Sequence, residues 1–208
     1  GLTGLIVPEA QGGLGLGLIE AALVAVELGR ADVSEPVADS ALVAPRLIAD
    51  EAQLAAIAAG ELKVALAHPV NPWVADADQA GLVLGGSATG ERLESADPLR
   101  RLFAVARAEA DARMLDHAAL IAAAQLVGAG ERMLTLATDY AKDREQFGQA
   151  IGGFQAIKHH LASVAVALEF ARPALWRAAY ALENGHERAG VHVSHAKLAA
   201  TDAAMLAA

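Results

Sequence analysis

The residues best placed to do chemistry lie between positions 143 and 164, in the string DREQFGQAIGGFQAIKHHLASV. Arg144 stands two residues before Gln146 and Phe147, and Gly148, Gly152 and Gly153 interrupt the helical periodicity there. Phe154 and Gln155 then open a second apolar-periodic stretch. An arginine and an amide beside a helix break suit a planar, anionic ligand. The guanidinium fork matches phosphate oxygens, and the unpaired N–H groups at a helix start add to the same positive field. The plainer alternative is an Arg144 that pairs with Asp143 or Glu145 on the surface, an arrangement worth little.

Other groupings carry less. Gly12-Gly13-Leu14-Gly15-Leu16-Gly17 has the look of a dinucleotide loop. That loop needs a preceding strand and an acidic residue about twenty positions later within a βαβ unit. Helix, loop and helix are expected here instead, so the cluster reads as a turn. His192 and His195 share a helix face and His159 and His160 are adjacent. Neither pair has the carboxylate or third ligand of a zinc or iron site, and no metal is expected. Trp176 and Tyr180 read as core or interface residues, and Glu169 with Arg172, one turn on, as a solvated pair.

The elements that must hold these residues are mostly helical. Residues 1–14 read as a loop and 15–30 as a helix, with Leu18, Ala22 and Val26 at helical spacing. Ser34-Glu35-Pro36 breaks the pattern. Residues 41–59 read as a helix with an interruption at Pro45, closed by Gly60. Two short apolar runs, Val64-Ala65-Leu66-Ala67 and Leu82-Val83-Leu84, lie between turn formers and read as strands. They are too few for an independent β-domain. Helix returns from 106, runs through Tyr140 to Arg144, breaks, and resumes along Phe154, Ile157, Leu161, Val164 and Leu168. Asn184-Gly185 stops it, and another helix begins at Val191.

Composition excludes several classes. The 208 residues contain no cysteine, which removes disulfides, thiolate catalysis and Cys-ligated metals and fits a cytoplasmic setting. The net charge is −9 and no run of lysine and arginine stands out, so no nucleic acid is expected. Hydrophobic residues make up 55%, yet charges interrupt every long apolar run, so no membrane span is expected. There is no basic segment at the start to suggest a signal peptide. The chain lacks an initiator Met and ends at Leu206-Ala207-Ala208 within a helix-like run, which leads us to expect missing segments.

The string from Arg144 to His159, with its Arg-x-Gln-Phe-Gly and Phe-Gln-Ala-Ile-Lys-His wording, resembles the C-terminal helical domain of the acyl-CoA dehydrogenases. Leu5-Ile6-Val7-Pro8-Glu9, Gly12-Gly13-Leu14-Gly15, Glu20 and Glu27-Leu28-Gly29-Arg30 resemble the N-terminal domain of the same family. The resemblance implies a mainly α fold: an N-terminal helical domain at 1–61, a reduced or partly missing middle β segment at 62–105, and a truncated C-terminal helical bundle at 106–208. It implies FAD as cofactor and α,β-dehydrogenation of an acyl-CoA substrate in fatty acid or steroid degradation. The implied partners are an electron-transferring flavoprotein and another acyl-CoA dehydrogenase subunit in a homo- or hetero-oligomer. Arg144 would reach the FAD pyrophosphate of a neighbouring subunit. Gln146 and Phe147 would line that contact, and Ile151, Phe154 and Gln155 would lie near the adenosine half. No catalytic residue is assigned. The family's base is a glutamate, usually late in the chain; its early alternative falls at Ala118, and Asp116 is off register. Some bacterial members pair two unlike subunits of which one lacks the base, so a non-catalytic partner subunit is the second expectation.

Overall fold

A computed structural model describes residues 1–109 and 112–208, which fall into two compact units. The first comprises Gly1–Ala21 and Ser34–Ile121, the second Ala22–Val33 and Ala122–Ala208. Among the described residues five α-helices form: α1 (Leu18–Arg30), α2 (Glu51–Ala59), α3 (Ala112–Asp143), α4 (Gln155–Glu183) and α5 (Ala189–Ala207). Among the same described residues seven short strands accompany them: β1 (Val64–Leu66), β2 (Trp73–Ala75), β3 (Leu82–Leu84), β4 (Gly86–Leu93), β5 (Leu102–Ala108), β6 (Glu145–Gln146) and β7 (Gln149–Ala150).

In the first unit, the expected helix over 41–59 divides in two. A π-type turn covers Ala38–Val43 and a 3-10 turn Ala44–Arg46, and only α2 is regular helix. Pro45 lacks the N–H that a continuous ladder needs. Asp50 starts α2 afresh, its carboxylate accepting from the N–H groups of Ala52 and Gln53 at 2.9 and 3.0 Å. Gly60, at φ 78°, ends it in the left-handed conformation. Leu54 and Ile57 of α2 are buried with Val7, Ala44 and Val64 in one cluster.

The two strands expected from their apolar runs are β1 and β3, paired in parallel. Ser40 satisfies part of β1's backbone: its hydroxyl donates to Val64 O at 2.9 Å and accepts from Val64 N at 2.8 Å. A second sheet, in the order β2-β5-β4, is antiparallel and was not foreseen. Residues 106–108, read as the start of a helix, belong to β5, and the helix begins at Ala112. Residues 110 and 111, which the expected helix also spanned, lie outside the described residues. Ala65, Ala67 and Val74 form the small core of this region.

Beside β1, the carboxyl of Asp39 is pushed up to about 6. Burial is the main cause, with Asp76 adding to it, while a hydrogen bond with the Leu66 backbone and the Arg100 charge oppose it. The native state therefore holds a proton here that the unfolded chain releases near the ordinary carboxylate value. The contribution to stability is complete below about pH 4 and is lost as pH rises through about 6. Asp39→Asn should therefore be more stable than the parent at neutral pH, with the difference shrinking as pH falls to about 4. Urea denaturation across that range checks it; a constant difference would contradict it.

The second unit is helical apart from the short β6–β7 hairpin. Val164, Leu168, Ala171, Leu175, Ala178 and Ala179 of α4 are buried, as are Val193, Ala196, Ala200 and Ala203 of α5. Alanine spacing on both helices lets their axes approach closely. Asn184 caps α4 and Gly185 follows at φ 61°, as the Asn-Gly pair suggested, and α5 starts two residues before Val191. By length and composition α3 could also cross a bilayer, with a mean hydropathy of 1.2 over its most apolar stretch. Charged residues such as Arg113, Asp116, Glu131 and Arg132 interrupt its apolar residues. Of that stretch, 44% is buried inside the protein.

Arg172 keeps only a loose contact with Glu169, at 3.9 Å. Its closer partner is Glu131 of α3, which Arg30 of α1 also grips. The expected solvated pair is thus the outer edge of a tertiary ion cluster around a buried carboxylate.

Candidate functional site

The end of α3, the hairpin and the start of α4 form one folded-back segment of the second unit. Arg144 N donates to Tyr140 O at 2.9 Å, the last bond of α3. Strands β6 and β7 then pair antiparallel, Glu145 with Ala150 and Gln146 with Gln149. Ile151 N donates to Arg144 O at 2.8 Å and closes the base of the hairpin. A 3-10 turn at Ile151–Gly153 leads into α4, where Phe154 N donates to Ile151 O at 3.1 Å.

The hairpin turn is Phe147-Gly148, with φ of 53° and 81°. Positive φ at both residues marks a type I′ turn, the form whose twist matches its strands. The sequence read this segment only as a glycine-bearing break, because the usual Asn-Gly signal is missing. Phe147 is 94% exposed. Its ring meets that of Phe154 edge to face, with centroids 6.1 Å apart and planes at 83°.

Arg144, Gln146 and Gln155 are exposed, and Ile151 and Phe154 half-buried. The Arg144 guanidinium makes no ion pair among the described residues, so neither Asp143 nor Glu145 claims it. Gln146 turns its amide back, donating to Glu145 O at 2.6 Å. Phe154 precedes α4 without giving it a side-chain cap, which leaves N–H groups of the first turn for another acceptor. An open guanidinium, an uncapped helix start and an exposed aromatic ring suit the phosphates and flat rings of a dinucleotide. This donor set fits FAD.

No base stands at the early position. Ala118 is half-buried on α3. Asp116 lies about 200° around the helix from it, two residues at 100° each. Burial raises the Asp116 carboxyl, and the His117 charge opposes the rise. His117 is itself buried, which lowers its pKa, and its Nδ1 lies 2.7 Å from Arg113 O. Among the described residues no group of three or more potential metal ligands converges. Arg177 Nη2 approaches His192 Nε2 at 3.4 Å, a contact between cations and imidazole rather than a ligand set.

Two family models match the chain: the acyl-CoA dehydrogenase N-terminal domain over residues 1–59 and the C-terminal domain over 108–208. Acyl-CoA dehydrogenase IpdE2 of Mycobacterium tuberculosis is 34% identical over 226 aligned positions, covering all of this chain and 69% of that protein. Its counterpart in Mycolicibacterium smegmatis is 35% identical, over 83% of this chain and 60% of its own length. Among solved structures, a variant of the Tcur3481-Tcur3483 steroid ACAD is 27% identical with a TM-score of 0.78, covering all of this chain and 72% of that one. Butyryl-CoA dehydrogenase from Megasphaera elsdenii shares the fold, with 21% identity, a TM-score of 0.78 and coverage of 100% and 75%. The fold, the order of the matched segments and the identity to IpdE2 together establish that this chain belongs to the acyl-CoA dehydrogenase family.

Proposed function

We propose that the chain is a FAD-binding subunit of an oligomeric acyl-CoA dehydrogenase that desaturates an acyl-CoA thioester between its α and β carbons. One observation carries the reading: an Arg144 without an ion pair among the described residues, an exposed Phe147 and a helix start without a side-chain cap follow one another along the β6–β7 hairpin and into α4, in a chain of this family. FAD is the cofactor that family membership supports. Arg144 would grip its pyrophosphate, with the cofactor lodged in a neighbouring subunit. Gln146 and Phe147 would line that contact, and Ile151, Phe154 and Gln155 would follow the adenosine half. When bound, the flavin supplies the hydride acceptor that no side chain offers. The share of this chain's residues is binding and orientation.

Electrons would pass to an electron-transferring flavoprotein. Fatty or steroid acyl-CoA is the proposed substrate class, the steroid option drawing support from the Tcur3481-Tcur3483 relative. The proposed organisation keeps the family order, with helical segments at 1–61 and 106–208 around a reduced β segment at 62–105. The proposed setting is the cytoplasm, which the lack of cysteine fits.

A non-catalytic partner subunit is the second reading, and Ala118 favours it. A general base must come within hydrogen-bonding reach of the proton it takes, and Asp116 faces another way along α3. Asp116→Asn should therefore leave acyl-CoA oxidation by the assembled oligomer, assayed with an artificial electron acceptor, nearly intact. A loss of about a thousandfold or more at unchanged flavin content would identify Asp116 as the base. Purifying the chain alone and with a sister subunit separates the two readings. Flavin and turnover in the chain alone support the enzyme; flavin alone, with turnover restored by the sister subunit, supports the partner role. Absence of flavin from both preparations would defeat each.

A further inference from the structure

We propose that the α4–α5 turn binds a phosphate group, free or esterified, between Arg177, Arg188 and the imidazoles of His186, His192 and His195. This place is separate from the β6–β7 hairpin and independent of the flavin reading. Arg177 lies about 33 Å along α4 from Gln155, at 1.5 Å rise per residue.

The cluster centres on His192. Arg177 reaches it from α4, with Nη2 3.4 Å from His192 Nε2. A guanidinium only donates, so His192 Nε2 accepts and the neutral ring keeps its proton on Nδ1. The turn adds His186, whose ring centroid lies 5.6 Å from that of His192. His186 Nδ1 accepts from Arg188 N at 3.1 Å, which leaves its Nε2–H to donate elsewhere. Partial burial and then the charges of Arg177, His186, Arg188 and His195 hold the His192 pKa below its ordinary value.

No carboxylate is among the groups that act on His192, although the chain carries a net charge of −9. Arg177 and Arg188 are exposed, and neither forms an ion pair among the described residues. Glu187, between His186 and Arg188 in the sequence, forms none there either. Like charges gathered without a counter-charge repel, and a bound oxyanion turns that repulsion into attraction. The start of α5 acts in the same sense. Arg188 is its N-cap residue and no side chain caps it, so the positive end of the helix adds to the cluster. A phosphate group presents three or more acceptor oxygens on different sides, which two guanidinium forks and an imidazole N–H can share. A carboxylate presents two in one plane.

Titration calorimetry on the purified oligomer at low salt tests this, with inorganic phosphate, AMP and acetate as probes. Phosphate and AMP should bind and acetate should not. Arg177→Gln and Arg188→Gln should each weaken binding about tenfold or more, and the double variant should abolish it. Melting temperatures should stay level, because both side chains are exposed. Sulfate, a dianion throughout, should bind with proton uptake and more tightly at about pH 6 than at about pH 8, as the anion lifts His192 back toward its ordinary value. Equal affinities for phosphate and AMP would assign the site to the phosphate group alone, and a tighter AMP would assign it to an ester; both support the proposal. Absence of binding, acetate matching phosphate, or undiminished binding in the double variant would overturn it. So would a sister subunit that binds through these arginines while phosphate does not, since the cluster would then be a protein contact.

Discussion

Stripping both guanidinium groups from Glu131, in an Arg30→Met and Arg172→Met double variant, should destabilise the protein by about 3–5 kcal/mol. The Glu131 side chain is only 9% exposed, and the two arginines reach it from α1 and α4. Their own side chains are 40% and 42% exposed, so they can return to water when the carboxylate is lost. The carboxylate cannot. Glu131→Gln in the parent should therefore cost less, about 2 kcal/mol, and adding it to the double variant should recover much of the loss. Urea denaturation with a two-state fit measures all four proteins. Absence of recovery would mean that packing of the arginine stems, rather than an unpaired charge, sets the cost.

Gly128→Ala should be nearly as damaging, at about 3 kcal/mol or more. A Cβ at Gly128 would collide with Val26 O of α1, and one at Gly29 would collide with Gln125 O of α3. Both obstacles are backbone, so relief requires the two helices to separate along their length. Gly130 offers a contrast on the same helix. Its Cβ would meet Leu168 Cδ2 at 2.8 Å, and a side chain can rotate away. Gly130→Ala should thus lose distinctly less stability than Gly128→Ala. The Gly29→Ala and Gly128→Ala losses should not add, because one separation relieves both. Equal effects at 128 and 130 would show that the crossing yields more easily than its geometry implies.

Legibility in the sequence followed the range of the interactions involved. Gly60 and Asn184-Gly185 announced helix ends, because chain termination by left-handed residues is a local effect. The apolar runs at Val64 and Leu82 announced strands for the same reason. Strand β4 did not, since GSATGERL has few apolar residues and its side chains are mostly exposed. Residues 106–108 carry helix-favouring alanines, and pairing with β4 overrides that preference. Arg144, Gln146, Phe147, Ile151, Phe154 and Gln155 were legible as a group, and the structure brings them into one hairpin and helix start. The left-handed Phe147 was not, because nothing in Phe-Gly signals a type I′ turn. Glu131 was missed altogether: a single acid in an alanine-rich helix reveals nothing of the two arginines that reach it from elsewhere in the chain.

The central claim is that Arg144 helps hold FAD, and the affinity of the purified oligomer for FAD tests it most directly. Arg144→Ala should lose a charge-assisted phosphate contact worth about 1.5–3 kcal/mol, or roughly tenfold to a hundredfold in affinity. Arg144→Lys, which keeps the charge and loses the fork, should fall between the two. Because the Arg144 side chain makes no ion pair among the described residues, its removal should leave the melting temperature of the cofactor-free protein unchanged. Flavin affinity and occupancy in Arg144→Ala equal to those of the parent would contradict the account.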